Sequence, residues 1–286
     1  MKLATNEFGN TGVQVTRLGY GAMELREGPE DLANDLLNLV LDSGINFIDT
    51  SIDYGDSEKL IGKFISHRRS EFFLASKCGC PIGTGKDHIF TKENITNGIN
   101  QSLKLLKTDY LDLVQLHNPI KNVVEENDVI QTLLEIKKEG KIRFIGTSSV
   151  LPALSDHINM NVFDAFQIPY SALNREHEGL ITSAAKSGAG TIIRGGVSKG
   201  EFGGNLEWDN FSKSNLDDLL DEGESRTSFL LRFTLSHPEL NTTIVGTKNA
   251  EHFQENIKTA SRGILPENIY EEAKNRLSSK GILPSN

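Results

Sequence analysis

The chain is poor in several residue types, and each shortage excludes something. It has two cysteines in 286 residues, Cys78 and Cys80. A bridge between them closes too short a loop for relaxed disulfide geometry, so they read as reduced thiols of a cytoplasmic protein. The run Lys77-Cys78-Gly79-Cys80 is readable as a redox pair, but small residues filling tight space at a strand end is the plainer account. No apolar run approaches the ~20 residues of a membrane span, and the first residues lack the apolar core of an export signal. The sequons at Asn94 and Asn241 are accordingly chance matches. Lys and Arg number 30 against 39 Asp and Glu, a net charge of −9 without any basic block, which argues against nucleic acid as a partner. Nucleotide-binding glycine motifs are incomplete. Gly19-Tyr20-Gly21 lacks the third glycine of a dinucleotide fingerprint, and Gly83-Thr84-Gly85-Lys86 lacks the first glycine and closing hydroxyl of a P-loop. The histidines show no metal-ligand spacing, so no metal is expected.

What is present is regular alternation. Short β-rich stretches occur at Leu18–Met23, Asn46–Thr50, Phe72–Lys77, Leu111–His117, Arg143–Ser148, Ala165–Tyr170, Thr191–Arg194 and Thr243–Gly246. Between them run amphipathic patterns. Leu32, Leu36, Leu37, Val40 and Leu41 recur at helical spacing in Asp31–Ser43, with Gly44 as a stop, and Glu126–Glu139 repeats this before Gly140. Further helices fit Glu58–Ser66, Lys92–Leu106, His177–Ser187, Thr227–Ser236 and Glu251–Ser261, and Glu267–Ser278 forms a tail helix after Pro266. Eight strand–helix alternations predict a parallel sheet with helical crossovers, and eight strands are the number that closes a barrel. The expected fold is therefore one (β/α)8 TIM barrel spanning residues 1–286, with an extra C-terminal helix; a doubly wound open sheet is the alternative. Residues Phe8–Val13 read as the turn of an N-terminal β-hairpin that plugs the barrel floor. The long segment Ser198–Asn215, carrying Phe202, Trp208 and Phe211, reads as an ordered lid or a surface excursion.

In such a barrel, reactive groups sit at the C-terminal ends of strands. Those ends carry Asp49 followed by Tyr54, then Lys77, His117 and Ser148-Ser149. Each alone has an ordinary explanation: a helix cap, a loop aromatic, a solvated cation, a core histidine. Together they form an acid–base set. A tyrosine with a reference pKa of ~10 is poorly matched to proton donation at neutral pH, and a neighbouring ammonium lowers it while a carboxylate holds the ammonium in place. A histidine beside the phenol donates to a substrate oxygen. The set suits protonation of a carbonyl oxygen as a nucleophile adds to the carbon.

The ordered stretches GINFIDTSIDYG (Gly44–Gly55), ASK (Ala75–Lys77), LVQLHNP (Leu113–Pro119) and GKIRFIGTSS (Gly140–Ser149) resemble the successive signatures of the aldo-keto reductase superfamily. The resemblance begins at GNTGVQVTRLGYGAM (Gly9–Met23) and continues through QIPYS (Gln167–Ser171) to GTKNAEHFQENI (Gly246–Ile257), so it covers nearly the whole chain. It implies a nicotinamide cofactor extended across the barrel mouth, a reaction interconverting a carbonyl (aldehyde, ketone or sugar) and an alcohol, and no metal. In that scheme Tyr54 is the general acid, Lys77 and Asp49 tune it, and His117 orients the carbonyl; Tyr54 and His117 also bind substrate.

The resemblance further assigns cofactor contacts to Gly21, Met23, Asp49, Ser148, Ser149 and Gln167. Ser149 stands where the family usually has Asn, a longer group. Arg194 takes the place of an aromatic that stacks on the nicotinamide; its plane can stack as well, and its charge favours the reduced cofactor. Gly195, Ser198, Gly200 and Phe202 fall where a loop folds over the pyrophosphate. Gly246, Thr247, Lys248, Asn249, His252, Glu255 and Asn256 match the adenosine-phosphate region. Lys248 suits a 2′-phosphate and the helix N-terminus adds backbone donors, so NADPH (NADP+) is expected, with NADH possible because His252 replaces a second cation. The other reading is a non-catalytic NADP-binding regulatory subunit. Tyr20, Met23, Phe90, Trp208 and Phe211 are candidates for an apolar substrate pocket, and the short segment between Asn118 and Asn127 points to an open site. A monomer or small homo-oligomer fits equally.

Overall fold

Short strands that are apolar on both faces can bury both only if a second layer covers the outside and side chains fill the inside. That is the arrangement found in a computed structural model describing residues 3–81, 87–200 and 208–285. Strands β1 (Thr5–Glu7) and β2 (Gln14–Thr16) form an antiparallel hairpin. Strands β3 (Leu18–Gly21), β4 (Phe47–Asp49), β5 (Phe73–Cys78), β6 (Leu111–His117), β7 (Ile142–Ser148), β8 (Ala165–Pro169), β9 (Gly190–Arg194) and β10 (Thr242–Val245) are parallel and close into a barrel. The β10–β3 pairing is what closes it. Helices α1 (Glu30–Asp42), α2 (Ser57–Phe64), α3 (Lys92–Leu106), α5 (Val129–Lys138), α6 (Ala153–Met160), α7 (Glu178–Lys186), α9 (Arg226–Leu235) and α10 (Ala250–Arg262) follow the strands in order, and α11 (Glu267–Ser279) is the extra C-terminal helix. Among the described residues no helix is long and apolar enough to cross a membrane.

Three expectations change in detail. Helix α6 has no counterpart in the apolar periodicity, because it is only eight residues long and buries a histidine, His157, on its inner face. The helix expected over Glu126–Glu139 begins at Val129, and a separate short helix, α4 (Lys121–Glu126), lies in the short segment between Asn118 and Asn127, to which the sequence assigns no helix. Beyond the seventh barrel strand, Trp208 stacks on Phe211 ahead of and within α8 (Asp209–Lys213), and Phe211 packs edge-on against Phe229 of α9. Phe202 and the run Gly83–Lys86 lie outside the described residues.

The lumen follows from a period of two. Phe47, Phe73, Ala75, Leu113, Phe144, Ala165, Ile192 and Ile244 point inward, while Ile48, Leu74, Val114, Ile145, Phe166, Ile193 and Val245 face the helices. The hairpin turn inserts Phe8 into the bottom of this inner cluster, its ring 5.2 Å from Phe73 and 5.7 Å from Phe47. The fit needs Gly190, since a Cβ there would lie 2.6 Å from the Phe8 ring. A Phe floor leaves the inward positions at the opposite ends of the strands as the mouth. Phe8→Ala is expected to destabilise the chain by about 3 kcal/mol, the cost of emptying a buried aromatic site. Urea unfolding measures this, and an unchanged midpoint would mean the hairpin is not the floor of the barrel.

Candidate active site

Counting upward by two from the apolar floor gives Asp49 on β4, Lys77 on β5, Gln115 and His117 on β6, Ser148 on β7, Gln167 on β8 and Arg194 on β9. Register brings them level: Lys77 pairs with Gln115, His117 with Ser148, and Ser148 with Gln167. The deepest members are the best satisfied. Lys77 Nζ donates to Asp49 Oδ2 at 2.7 Å and to the Thr50 carbonyl at 2.9 Å, and both side chains are almost wholly buried. Asp49 Oδ1 accepts from Gln115 Nε2 and Gln167 Nε2, each at 2.8 Å. Burial pulls Lys77 down, but Asp49 and Tyr54 more than offset it, so the ammonium stays charged.

Tyr54 leaves the β4–α2 loop and lies against this cation, with Lys77 Nζ 4.7 Å from the ring centroid. Burial raises the phenol pKa and Lys77 opposes it, the net direction being up. The ammonium acts in the expected sense, but desolvation outweighs it, and the group is a phenol rather than a phenolate at neutral pH.

His117 stands edge-on to Tyr54, ring centroids 6.4 Å apart. Burial, then the Lys77 charge, hold its pKa down at about 3, so the imidazole is neutral. Its Nδ1 is 3.0 Å from Cys80 Sγ and 3.6 Å from Asp53 Oδ2, and its ring stacks on His88 at 4.4 Å. Cys80 is a free thiol pushed up to about 12, chiefly by burial. Cys78 is also free and buried on β5.

The structure therefore brings Asp49, Tyr54, Lys77 and His117 together. Sequence reasoning missed Gln115, Asp53 and His88, and read Cys80 as a residue filling tight space at a strand end. Gln115 was findable, two residues before His117 on the same strand face; Asp53, Cys80 and His88 meet only through loops.

Along the remaining strand ends, Ser148 Oγ donates to Gln167 Oε1 at 3.1 Å. Ser149, one residue on, takes the opposite face: its hydroxyl pairs with His157 Nδ1 at 3.1 Å in the helical layer, away from the lumen. Arg194 is half-buried, and among the described residues its side chain makes neither an ion pair nor a hydrogen bond, so the rim salt bridge that would be its ordinary explanation is missing there. Its charge nonetheless acts on His117, and Tyr54 and Asp49 act on it. After it, Gly195, Ser198, Lys199 and Gly200 all have positive φ, at 74°, 46°, 63° and 77°. Ser198 Oγ meets Ser171 Oγ at 2.9 Å, and its carbonyl accepts from Trp208 Nε1 at 3.1 Å.

Gly21 and Met23 end the first barrel strand and its continuation, with Met23 41% exposed at the mouth. Gly246, Lys248, His252 and Glu255 are exposed, and Thr247 and Asn256 partly so, at the start of α10. Asn249 caps that helix, its Oδ1 accepting from the backbone of Glu251 at 2.8 Å and His252 at 3.3 Å. Two donors expected to be free for a ligand are thus already bonded. Tyr20, Phe90, Trp208 and Phe211 are buried and belong to the hydrophobic core. Tyr20 packs edge-on against Phe253 and donates to the Thr247 carbonyl at 3.2 Å.

Residues 17–274 match the family model described as "Aldo/keto reductase family". The chain is 28% identical over 287 residues to "Uncharacterized oxidoreductase YqkF" of Bacillus subtilis, covering 91% of this chain and 92% of that one. It is also 28% identical to "L-galactose dehydrogenase" of Arabidopsis thaliana, covering 90% and 88%. Among solved structures, the aldo-keto reductase AKR11C1 from Bacillus halodurans in its holo form superimposes with a TM-score of 0.87 at 26% identity, covering 96% of each chain.

Buried neutral histidines make the fold acid-sensitive. His117 is lowered to about 3, and His157 and His237 to about 4, by burial. His237 Nδ1 accepts from the Glu239 amide, a bond only the neutral ring can make. Unfolded, these rings titrate at ~6.5, so below that pH the unfolded chain binds protons the fold refuses. The stability they contribute is complete above the unfolded value and is lost as pH falls. Glu58, raised to about 7 by burial, works in the opposite sense over part of the window. A net uptake of about two protons on unfolding predicts a loss of roughly 2–3 kcal/mol per pH unit below about pH 6.5. Urea midpoints across that range measure it, with His237→Gln flattening the slope; a level profile contradicts the assignment.

Proposed function

The chain belongs to the aldo/keto reductase family of oxidoreductases, and from that premise we propose that it is an NADPH-dependent reductase interconverting a carbonyl and an alcohol, with Tyr54 as general acid. The observation that carries this reading is the phenol of Tyr54 lying on a fully buried Lys77–Asp49 pair beside a neutral His117. A substrate oxygen between Tyr54 and His117 meets two donors. The neutral imidazole offers one N–H, and the phenol holds the proton that the oxygen takes. As the O–H proton leaves, the developing phenolate charge falls against the Lys77 ammonium, which is already held by Asp49 and needs no reorganisation. Asp49 is in turn fixed by Gln115 and Gln167, so the cation keeps its place through the transfer.

The mouth fits a nicotinamide cofactor. Its half-buried guanidinium at Arg194 has no partner among the described residues and presents a plane for stacking, beside the hydroxyl and amide groups of Ser148 and Gln167. Gly21, Met23, Gly195, Ser198 and Gly200 border the path from there to the exposed group at Gly246, Thr247, Lys248, His252, Glu255 and Asn256. Left-handed backbone at Ser198 and Lys199 is unfavourable for residues with a Cβ, and such strain concentrates at binding loops. Lys248 supports NADPH over NADH through charge. Bound there, the cofactor supplies hydride to the carbonyl carbon. The reading covers residues 1–286 as one functional unit in a reducing cytoplasm, where Cys78 and Cys80 remain thiols. A non-catalytic subunit has no use for a phenol seated on an ion pair, and cofactor binding without turnover of any aldehyde, ketone or sugar would favour it.

Tyr54→Phe is expected to lower kcat by roughly 10²–10⁴-fold, the span of general-acid contributions, with cofactor affinity unchanged. Turnover at the parent rate in the purified variant would remove Tyr54 from the mechanism. Arg194→Ala is expected to weaken binding of the reduced cofactor, read by fluorescence titration. Equal affinity of parent and variant for both redox states would remove Arg194 from the cofactor site.

A further inference from the structure

At the edge of the proposed active site, Asp53, Cys80 and His88, to which the reductase reading gives no role, converge on the far ring nitrogen of His117. Asp53, Cys80, His88 and His117 each offer one ligand atom, and those atoms all lie within 4.8 Å of one another. His117 Nδ1 stands 3.0 Å from Cys80 Sγ and 3.6 Å from Asp53 Oδ2, and His88 Nε2 is 3.8 Å from the same carboxylate oxygen. Ligands of a tetrahedral zinc ion sit roughly 3.3–3.6 Å apart, given bonds of about 2.0–2.3 Å, so small side-chain rotations bring all four onto one ion.

The surroundings hold this set in place. Ser51 Oγ donates to Asp53 Oδ1, which orients the carboxylate and leaves Oδ2 facing the histidines. The Ile89 amide donates to the Gly79 carbonyl at 2.6 Å, clamping the ends of the loop so that His88 returns beside Cys80. Gly79 has φ +90°, and the Phe90 ring fills the space a Cβ would take, only 2.1 Å away. Among the described residues His88 has no hydrogen bond, only the long contact to Asp53 and ring contacts to His117 and Phe90.

We propose that Asp53, Cys80, His88 and His117 form a binding site for one thiophilic divalent transition-metal ion of the zinc type. One thiolate, two imidazoles and one carboxylate select zinc or cobalt over magnesium and calcium, which take oxygen ligands. Binding replaces the Cys80 S–H bond with a sulfur–metal bond and releases one proton to solvent; no redox change is involved. Coordination at Nδ1 leaves the imidazole proton on Nε2, the tautomer that donates to a substrate oxygen. That last consequence rests on the carbonyl role proposed above, whereas the binding itself does not.

The test is a titration of chelator-stripped protein with Co²⁺ under reducing conditions, followed by absorption. One equivalent is expected to bind, with the visible bands of a four-coordinate ion and a sulfur-to-cobalt charge-transfer band, and Zn²⁺ is expected to displace it while Mg²⁺ does not. Cys80→Ser should lose the charge-transfer band, Cys78→Ser should keep it, and His88→Ala should bind Co²⁺ at least tenfold more weakly. Tyr54→Phe should keep every metal signal whatever its turnover, which separates this site from the reductase reading. Absence of stoichiometric Co²⁺ binding by the parent, or a charge-transfer band that survives Cys80→Ser, overturns the proposal.

Discussion

Lys77 carries a positive charge in a place where water cannot reach it, and the rest of the mouth is arranged around that fact. An isolated buried ammonium is strongly unfavourable, and the Asp49 carboxylate at 2.7 Å is what makes it tolerable. The carboxylate has its own needs, met by two glutamine amides from neighbouring strands. A pair of this kind adds little net stability, since desolvation cancels much of the attraction. What it supplies is a fixed charge in a low-dielectric wall, where it acts on Tyr54 and His117 far more strongly than an exposed lysine would. It reinforces the burial that keeps the imidazole neutral, and it opposes the burial that would otherwise drive the phenol pKa still higher.

The same barrel divides its interior by depth. Phe8, Phe47, Phe73 and Phe144 make the floor, and β4, β5, β6, β8 and β9 then change from apolar to polar within two residues, as in Phe47 to Asp49, Ala75 to Lys77 and Leu113 to Gln115. A strand's side-chain period of two allows this switch without altering the outward face, where Ile48, Ser76 and Val114 remain buried under helices. Ser148 and Ser149 show how strict the rule is. Adjacent residues of one type reach opposite layers, the first bonding Gln167 in the lumen and the second bonding His157 beneath α6.

Helix boundaries and loop contacts were less legible than strands. The eight strands carry dense β-branched and aromatic runs, whereas α6 and α4 are too short to establish a 3.6-residue period. Aromatic residues near the mouth were also ambiguous. Trp208 and Phe211 sit in a segment with loop composition, yet packing against Phe229 buries both. At the start of α10, the Asn249 side chain caps the helix by accepting from the backbone amides of Glu251 and His252, which the sequence alone leaves to a ligand.

By itself the sequence determined the alternation of strands and helices, the barrel that alternation closes, and the four polar residues standing at strand ends. These are local properties: spacing along the chain dictates which side of a strand a residue faces and where each helix stops. Only the tertiary structure decided which residues from distant strands share a hydrogen-bond network, so Gln115 as the support of Asp49, and Arg194 as a cation unpaired among the described residues, became visible there. The meeting of Asp53, Cys80, His88 and His117 was likewise decided in three dimensions. Loops carry no repeating period from which such proximity can be read; it comes from the Gly79–Ile89 clamp and from where the barrel happens to place the ends of β5 and β6.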